Sequence, residues 1–89
     1  MSIDSSNNSE LQVEIISPKG VIFNDYCHLA VIPGNIGDIG VMNNHELVLT
    51  SLRKGQVEIY DKSEKLINSF EINSGFAHNE QEKLLVLVD

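Results

Sequence analysis

The sequence predicts an all-β fold, either a sandwich or a barrel, made of about seven to ten short strands. Turn-forming residues recur about every 8–12 residues, a spacing that is typical of such folds. Between the turns, segments either alternate apolar with polar residues or are continuously apolar, as strands do. No segment longer than about two helical turns has the helical period, so we expect no helix in the fold.

In the N-terminal third, a polar tail precedes two extended segments. Residues 1–10 are dominated by Ser and Asn, and we expect them to form a disordered tail. Residues 11–15 alternate apolar with polar residues, which predicts a half-buried strand. Residues 21–32 predict a second extended segment. Asn24 and Asp25 predict a bend or bulge within it, because their side chains compete for backbone hydrogen bonds.

The remaining strands are organised around residues 37–55, which predict a strand, a polar corner at residues 43–45, a second strand and a turn. Residues 56–60 and 66–72 predict two strands joined by a polar hairpin loop. Residues 84–88 form a continuous apolar run, which predicts a strand that is central in its sheet or buried on both faces.

The composition describes one small acidic domain, which we place at residues 11–89. The chain has 89 residues and a formal net charge of -7, which argues against binding nucleic acid or anionic lipid. A single cysteine, Cys27, cannot form an internal disulfide and indicates a reducing compartment. Neither a membrane-spanning apolar run nor a signal peptide is recognisable in the sequence.

Candidate catalytic and metal-binding residues are scarce. Cys27 and His28 are adjacent, so on a strand they point to opposite faces, and His45 and His78 lie far from them in sequence. No spacing is typical of zinc ligands. The glycines of residues 37–40 are not followed by Lys-Ser/Thr or a helix, so they do not predict a phosphate-binding loop. We therefore expect no catalytic site, no metal and no cofactor.

Residues 37–55 nevertheless resemble the signature of the epsilon subunit of F-type ATP synthases. In that family a glycine-rich segment leads to a corner that carries a His, and an apolar strand and a Lys-Gly or Pro-Gly turn follow. His45 stands where the family His stands. Asn43-Asn44 replaces the family's Pro-Gly before it, and Glu46-Leu47 replaces Ala-Pro after it. Other family landmarks match in order at residues 11–18, Phe23, residues 74–77 and residues 85–89, so the resemblance spans residues 11–89.

This resemblance implies a flattened β-sandwich of two sheets with about ten strands. It implies a non-catalytic central-stalk (rotor) subunit that binds the gamma subunit and contacts the c ring, and so couples proton translocation to ATP synthesis. The implied location is the cytoplasmic face of the bacterial inner membrane, peripheral and without insertion, and the isolated chain is expected to be a monomer. The family's C-terminal helical hairpin is absent from this sequence, so we expect neither a nucleotide site nor inhibition of ATP hydrolysis.

The resemblance also implies contact residues. Asp38 and His45 are expected to contact the c ring at one end of the sandwich, through an ion pair and a pH-sensitive hydrogen bond. An apolar surface near one edge is expected to contact gamma, with Phe23 as its first candidate anchor. Its candidate residues, each of which could instead belong to the core, are Ile22, Phe23, Val41, Met42 and Leu47.

Two other classes of function stay open at this point. One is a free-standing β-sandwich module that binds a peptide or a sugar, which exposed aromatic side chains in a groove would favour. The other is a small metal enzyme, which the scattered His residues do not favour. Co-purification with an ATP synthase complex would separate the rotor subunit from both alternatives.

Overall fold

The computed structural model describes residues 10–43, 46–80 and 82–89, and within these ranges the chain forms nine β-strands and no helix. The predicted all-β fold is therefore confirmed. The predicted tail lies, except for Glu10, outside the described residues. In chain order the strands are β1 (Leu11–Ser17), β2 (Gly20–Cys27), β3 (Leu29–Pro33), β4 (Asp38–Met42), β5 (Leu49–Leu52), β6 (Gly55–Tyr60), β7 (Leu66–Ile72), β8 (Gly75–Glu80) and β9 (Lys83–Val88).

The strands form two sheets that pack face to face. The five-stranded sheet has the order β2-β1-β9-β8-β5, and the four-stranded sheet has the order β4-β3-β6-β7. Neighbouring strands are antiparallel except β1 and β9, which are parallel. The two-sheet sandwich is thus confirmed, and the continuous apolar run that became β9 lies at the centre of its sheet, as predicted.

The core lies between the sheets because each strand turns alternate residues inward. In β1 the inward residues Leu11, Val13 and Ile15 are completely buried, and in β6 so are Val57 and Ile59. Full burial of one such side chain contributes about 1.5–3 kcal/mol to folding. The alternation read from these two segments therefore also identifies much of the core.

The irregularity in β2 differs from the prediction. The register of the β1–β2 pair shifts between Ile15 and Ile16, and the unpaired extra residue opposite them is Ile22. The predicted bulge at Asn24 and Asp25 is wrong, because both residues stay in regular register with β1. The bulge instead lies next to the tight turn that connects the strands, where Gly20 adopts a φ of 128° that favours glycine.

The predicted extended segment at residues 21–32 is two strands in different sheets. Strand β2 ends at Cys27 in the five-stranded sheet, and β3 begins at Leu29 in the four-stranded sheet. His28 is the junction, and its backbone N–H donates to the carbonyl of Tyr60 at 3.0 Å. The chain therefore crosses from one layer of the sandwich to the other within one residue.

The segment after the polar corner is held by a buried asparagine. Asn79 on β8 is 1% exposed, and its Oδ1 accepts the N–H of Val48 while its Nδ2 donates to the carbonyl of Glu46 at 3.0 Å. The backbone N–H of Asn79 also donates to the carbonyl of Val48 at 3.1 Å. These bonds fix the entry to β5, which begins at Leu49.

Candidate protein-docking surface

The outer face of the five-stranded sheet carries a row of apolar side chains. Residues that are directly paired on neighbouring strands point to the same face. The pairings Val21 with Ile16, Ile16 with Leu87, and Leu87 with Phe76 therefore align four apolar residues across four strands. Val21, Leu87 and Phe76 are 55%, 45% and 57% exposed. Such large exposed fractions are unusual for a row of adjacent apolar side chains that contacts only water.

A second row on the same face extends this surface toward β5. It runs through Glu14, Leu85, His78 and Leu49, which are paired in that order. Leu49 is 72% exposed, and Leu85 is half-buried. We define the apolar face as the outward residues Ile16, Val21, Leu49, Phe76, Leu85 and Leu87. A contiguous exposed apolar surface of this kind marks protein–protein contact sites.

The other half of this outer face is polar. Lys83 is paired with Gln12 on one side and Glu80 on the other, and its Nζ lies 2.8 Å from Oε1 of Glu14. The apolar face is therefore bordered by charged groups of both signs. Apolar centres with polar rims are the usual organisation of protein interfaces.

Asp38 lies at the start of β4, at one end of the sandwich. Its Oδ1 accepts a charge-assisted hydrogen bond from Nη2 of Arg53 at 2.6 Å, and both side chains are largely exposed. Ile36, in the loop before β4, is completely exposed. An exposed pair of this type stabilises a fold by about 0.2–1 kcal/mol, so Asp38 is available to a partner but already has a competing cation.

His45 lies outside the described residues, so its predicted contact with the c ring stays a prediction. Asn43, the described residue that precedes the gap, follows the end of β4 at Met42, whereas Asp38 begins that strand. Strand β4 thus lies between Asp38 and the start of the corner. The expectation that Asp38 and His45 contact the c ring at one end of the sandwich stays a prediction, because His45 lies outside the described residues.

The five predicted gamma contacts do not form one surface. Val41 is completely buried, so it is a core residue and its prediction as a contact is wrong. Ile22 and Phe23 lie on β2, and the Phe23 ring is 5.3 Å from that of Phe70 on β7, at one edge of the sandwich. Met42 lies on β4, at the opposite edge. The prediction of one edge patch is therefore wrong.

Three of those residues are exposed. Ile22 is 46% exposed, Met42 is 42% exposed and Leu47 is 77% exposed. Phe23 is half-buried and packs against the core cluster. These four residues stay predictions as contacts. Ile22 adjoins the apolar face as the neighbour of Val21 in β2, and Leu47 adjoins it two residues before Leu49.

The apolar face was missed at the level of sequence, although a signal for it was present. A continuous apolar strand in a two-layer sandwich turns every second residue away from the core. In β9 the alternate residues Leu84, Val86 and Val88 are buried, so Leu85 and Leu87 must point outward. The apolar run at residues 84–88 therefore indicated an apolar outer face as well as a central strand.

Candidate metal ligands and nucleophiles are few among the described residues. No group of three or more potential ligands is placed to hold a metal there. Cys27 is 3% exposed, and burial, with a smaller contribution from Glu10, raises the pKa of its thiol to about 11. Such a thiol is protonated near neutral pH and is a poor nucleophile. Among the same residues there is no helix long and apolar enough to cross a membrane.

A cavity of about 470 Å³ opens beside His28, Leu29 and Met42 on the four-stranded sheet. Two of its polar side chains are engaged in local structure. Oδ1 of Asp61, which lines the cavity, accepts the backbone N–H groups of the following hairpin turn at 2.9 and 3.0 Å. The Tyr60 hydroxyl donates to Glu58 at 2.8 Å, which raises the pKa of Tyr60. These groups therefore support the hairpin.

Comparison with known proteins gives a consistent picture. The family model for the ATP synthase delta/epsilon chain beta-sandwich domain matches residues 10–89. The chain is 38% identical over 80 residues to the ATP synthase epsilon chain of Campylobacter concisus, covering 90% of this chain and 61% of that protein. It is 36% identical over 81 residues to that of Sulfurimonas denitrificans, with 91% and 62% covered. The chain thus spans about three-fifths of the length of these relatives.

Solved structures agree on the fold. A chain of the Euglena gracilis mitochondrial ATP synthase superposes with a TM-score of 0.80 at 22% identity, covering 90% of this chain and 51% of that one. A chain of the Tetrahymena thermophila mitochondrial ATP synthase, in its central stalk and c-ring structure, superposes with a TM-score of 0.70 at 15% identity, with 88% and 62% covered. At these identities the likeness bears on the fold alone.

Proposed function

The chain belongs to the ATP synthase delta/epsilon chain beta-sandwich family, and from this premise we propose that it is a rotor component of the central stalk. In this role it binds the gamma subunit, contacts the c ring and helps to couple proton translocation to ATP synthesis. The observation that carries the proposal is the apolar face on the five-stranded sheet. This face has the character of a docking surface and contains no catalytic group.

The apolar face is suited to a large and stable contact. Phe76 and Leu49 project from the sheet with 57% and 72% of their surface exposed, so a partner can cover most of each side chain. Removing apolar surface from water yields about 25 cal/mol per Å². We assign gamma to this face.

The contact with the c ring is assigned to the end of the sandwich that carries Asp38. Arg53, the cation next to Asp38, and the exposed tip residue Ile36 lie at the same end. A basic side chain of the c-subunit loop would share the Asp38 carboxylate with Arg53. The contribution of this exposed pair stays below about 1 kcal/mol, which makes it an orienting contact, whereas the apolar face supplies the affinity.

The same proposal extends to turnover and location. The chain has no enzymatic turnover of its own, which is supported by the buried, protonated Cys27 and by the lack of a metal-binding cluster among the described residues. As part of the complex it lies peripherally at the cytoplasmic face of the membrane. Both statements follow from the assigned role.

The test is binding of the purified chain to gamma, measured by isothermal titration calorimetry. Leu87→Asp places a charge in the centre of the apolar face, and Leu66→Asp is the matched control. Both leucines lie on strands and are nearly equally exposed, at 45% and 47%, but Leu66 is on the other sheet. We expect Leu87→Asp to weaken binding at least tenfold and Leu66→Asp to leave it unchanged. Equal loss in both variants, or in neither, would refute the assignment.

A further inference from the structure

His78 is the one histidine on the apolar side of the five-stranded sheet within the described residues. It is paired with Leu49 on β5 and with Leu85 on β9, and both leucines belong to the apolar face. Phe76 precedes it by two residues on the same strand and therefore points to the same side. The imidazole is thus bordered by apolar side chains on three sides, and it is half-buried before any partner arrives.

The charged groups near His78 lie on its fourth side. Glu80, two residues along β8, and Lys83 on β9 line a shallow cavity of about 240 Å³ together with His78 and Leu85. Lys83 is held by Glu14 at 2.8 Å, and Leu85 stands between Glu14 and His78 in the row. On β5 the facing residues carry no charge.

Glu46 completes the set of charges around this site. It lies in the segment before β5 that Asn79 holds by its backbone. The acidic and basic groups thus belong to the polar half of the face or to its border, where water retains access when a partner covers the apolar half.

We propose that His78 makes the docking of gamma on the apolar face pH-dependent, with binding strongest when the imidazole is neutral. This inference rests on the proposed function. When gamma covers Leu49, Phe76 and Leu85, water is removed from the imidazole on three sides. A neutral imidazole tolerates this, whereas an imidazolium loses hydration without gaining a counter-ion from the apolar neighbours. Protonation and docking therefore oppose each other.

The sign of the effect follows from this opposition. Because the complex disfavours the protonated form, binding is at full strength at pH 7.5 and weakens as the pH falls through the range in which histidine gains a proton. Exclusion of a single proton from the complex weakens binding by at most tenfold for each pH unit.

The experiment compares the affinity for gamma at pH 7.5 and pH 5.5 for the natural chain and for His78→Gln, which keeps a polar side chain that cannot become charged. Any titration within gamma is common to both proteins, so the difference between their pH dependences isolates His78. Circular dichroism at pH 5.5 confirms that both proteins remain folded. We expect a loss of about tenfold for the natural chain and of less than twofold for His78→Gln.

The possible outcomes separate the two proposals. Equal pH dependence in the two proteins, or tighter binding of the natural chain in acid, overturns the role of His78 while the rotor function stands. Tighter binding in acid would mean that Glu80 or an acidic group of gamma compensates the imidazolium. No binding at pH 7.5, or binding that Leu87→Asp leaves intact, overturns the docking surface itself.

Discussion

Replacing Asn79 by Ala should destabilise the domain and release the segment before β5. The substitution leaves the N–H of Val48 without its acceptor, and Val48 is only 9% exposed. An unsatisfied buried donor costs about 1–3 kcal/mol. The backbone carbonyl of Glu46 also loses its donor. Because Glu46 is exposed, water can replace part of that hydrogen bond. Together with the small cavity left by the amide, we expect a loss of about 2–4 kcal/mol.

This loss is large relative to the stability of a domain of this size, which is about 4–12 kcal/mol. Urea unfolding followed by circular dichroism measures it directly. Asn68→Ala, at an exposed position on β7, is the matched control and should change stability by less than about 0.5 kcal/mol. Hydrogen exchange should accelerate at Val48 in Asn79→Ala. If Asn79→Ala costs no more than Asn68→Ala, the buried amide does not anchor the segment and the reasoning fails.

Three further predictions concern a close backbone contact, the thiol and the acidic end. Gly75→Ala should prevent stable folding, because a Cβ there would lie 2.1 Å from the carbonyl oxygen of Leu87. The control Gly37→Ala places its Cβ in open space and should leave the unfolding midpoint nearly unchanged. Similar midpoints for the two variants would contradict this prediction. Cys27 should resist alkylation at pH 7.5 in the folded chain, because burial raises the pKa of its thiol to about 11. It should react once urea unfolds the domain. Rapid labelling of the folded protein would show instead that the thiol is accessible. Asp38→Cys, with Cys27 changed to Ala, should cross-link to a cysteine in the c-subunit polar loop. Lys62→Cys, in the hairpin loop at the other end of the sandwich, should not cross-link. The reverse pattern would mean that the domain is inverted on the ring.

The sequence predicted the layers of the fold well because alternation records burial directly. Val57 and Ile59 alternate with polar residues in the predicted strand at residues 56–60, and both are completely buried. The position of the bulge could not be predicted in this way. It depends on how the tight turn at Gly20 sets the register of two strands, and Ile22 has no local feature that distinguishes it from its apolar neighbours. Local propensity favoured Asn24, but pairing with β1 overrode it.

The candidate site was harder to predict because it depends on which strands become neighbours. Leu87 and Phe76 are adjacent only because β8 pairs with β9 in one register, and Ile16 joins them through the parallel β1–β9 pair. Val41 illustrates the converse error. It lies next to the exposed Met42 in sequence, but successive residues of β4 point to opposite faces, so one is core and the other is surface. Sequence proximity therefore could not identify a shared surface.

The central claim is that gamma covers the outer face of the five-stranded sheet, and site-specific photo-cross-linking tests it most directly. A photoreactive aromatic residue is placed at position 87 in one protein and at position 66 in another, positions of nearly equal exposure on opposite sheets. Each protein is mixed with gamma and irradiated. We predict efficient cross-linking to gamma from position 87 and background levels from position 66. Efficient cross-linking from position 66 with none from position 87 would contradict the claim.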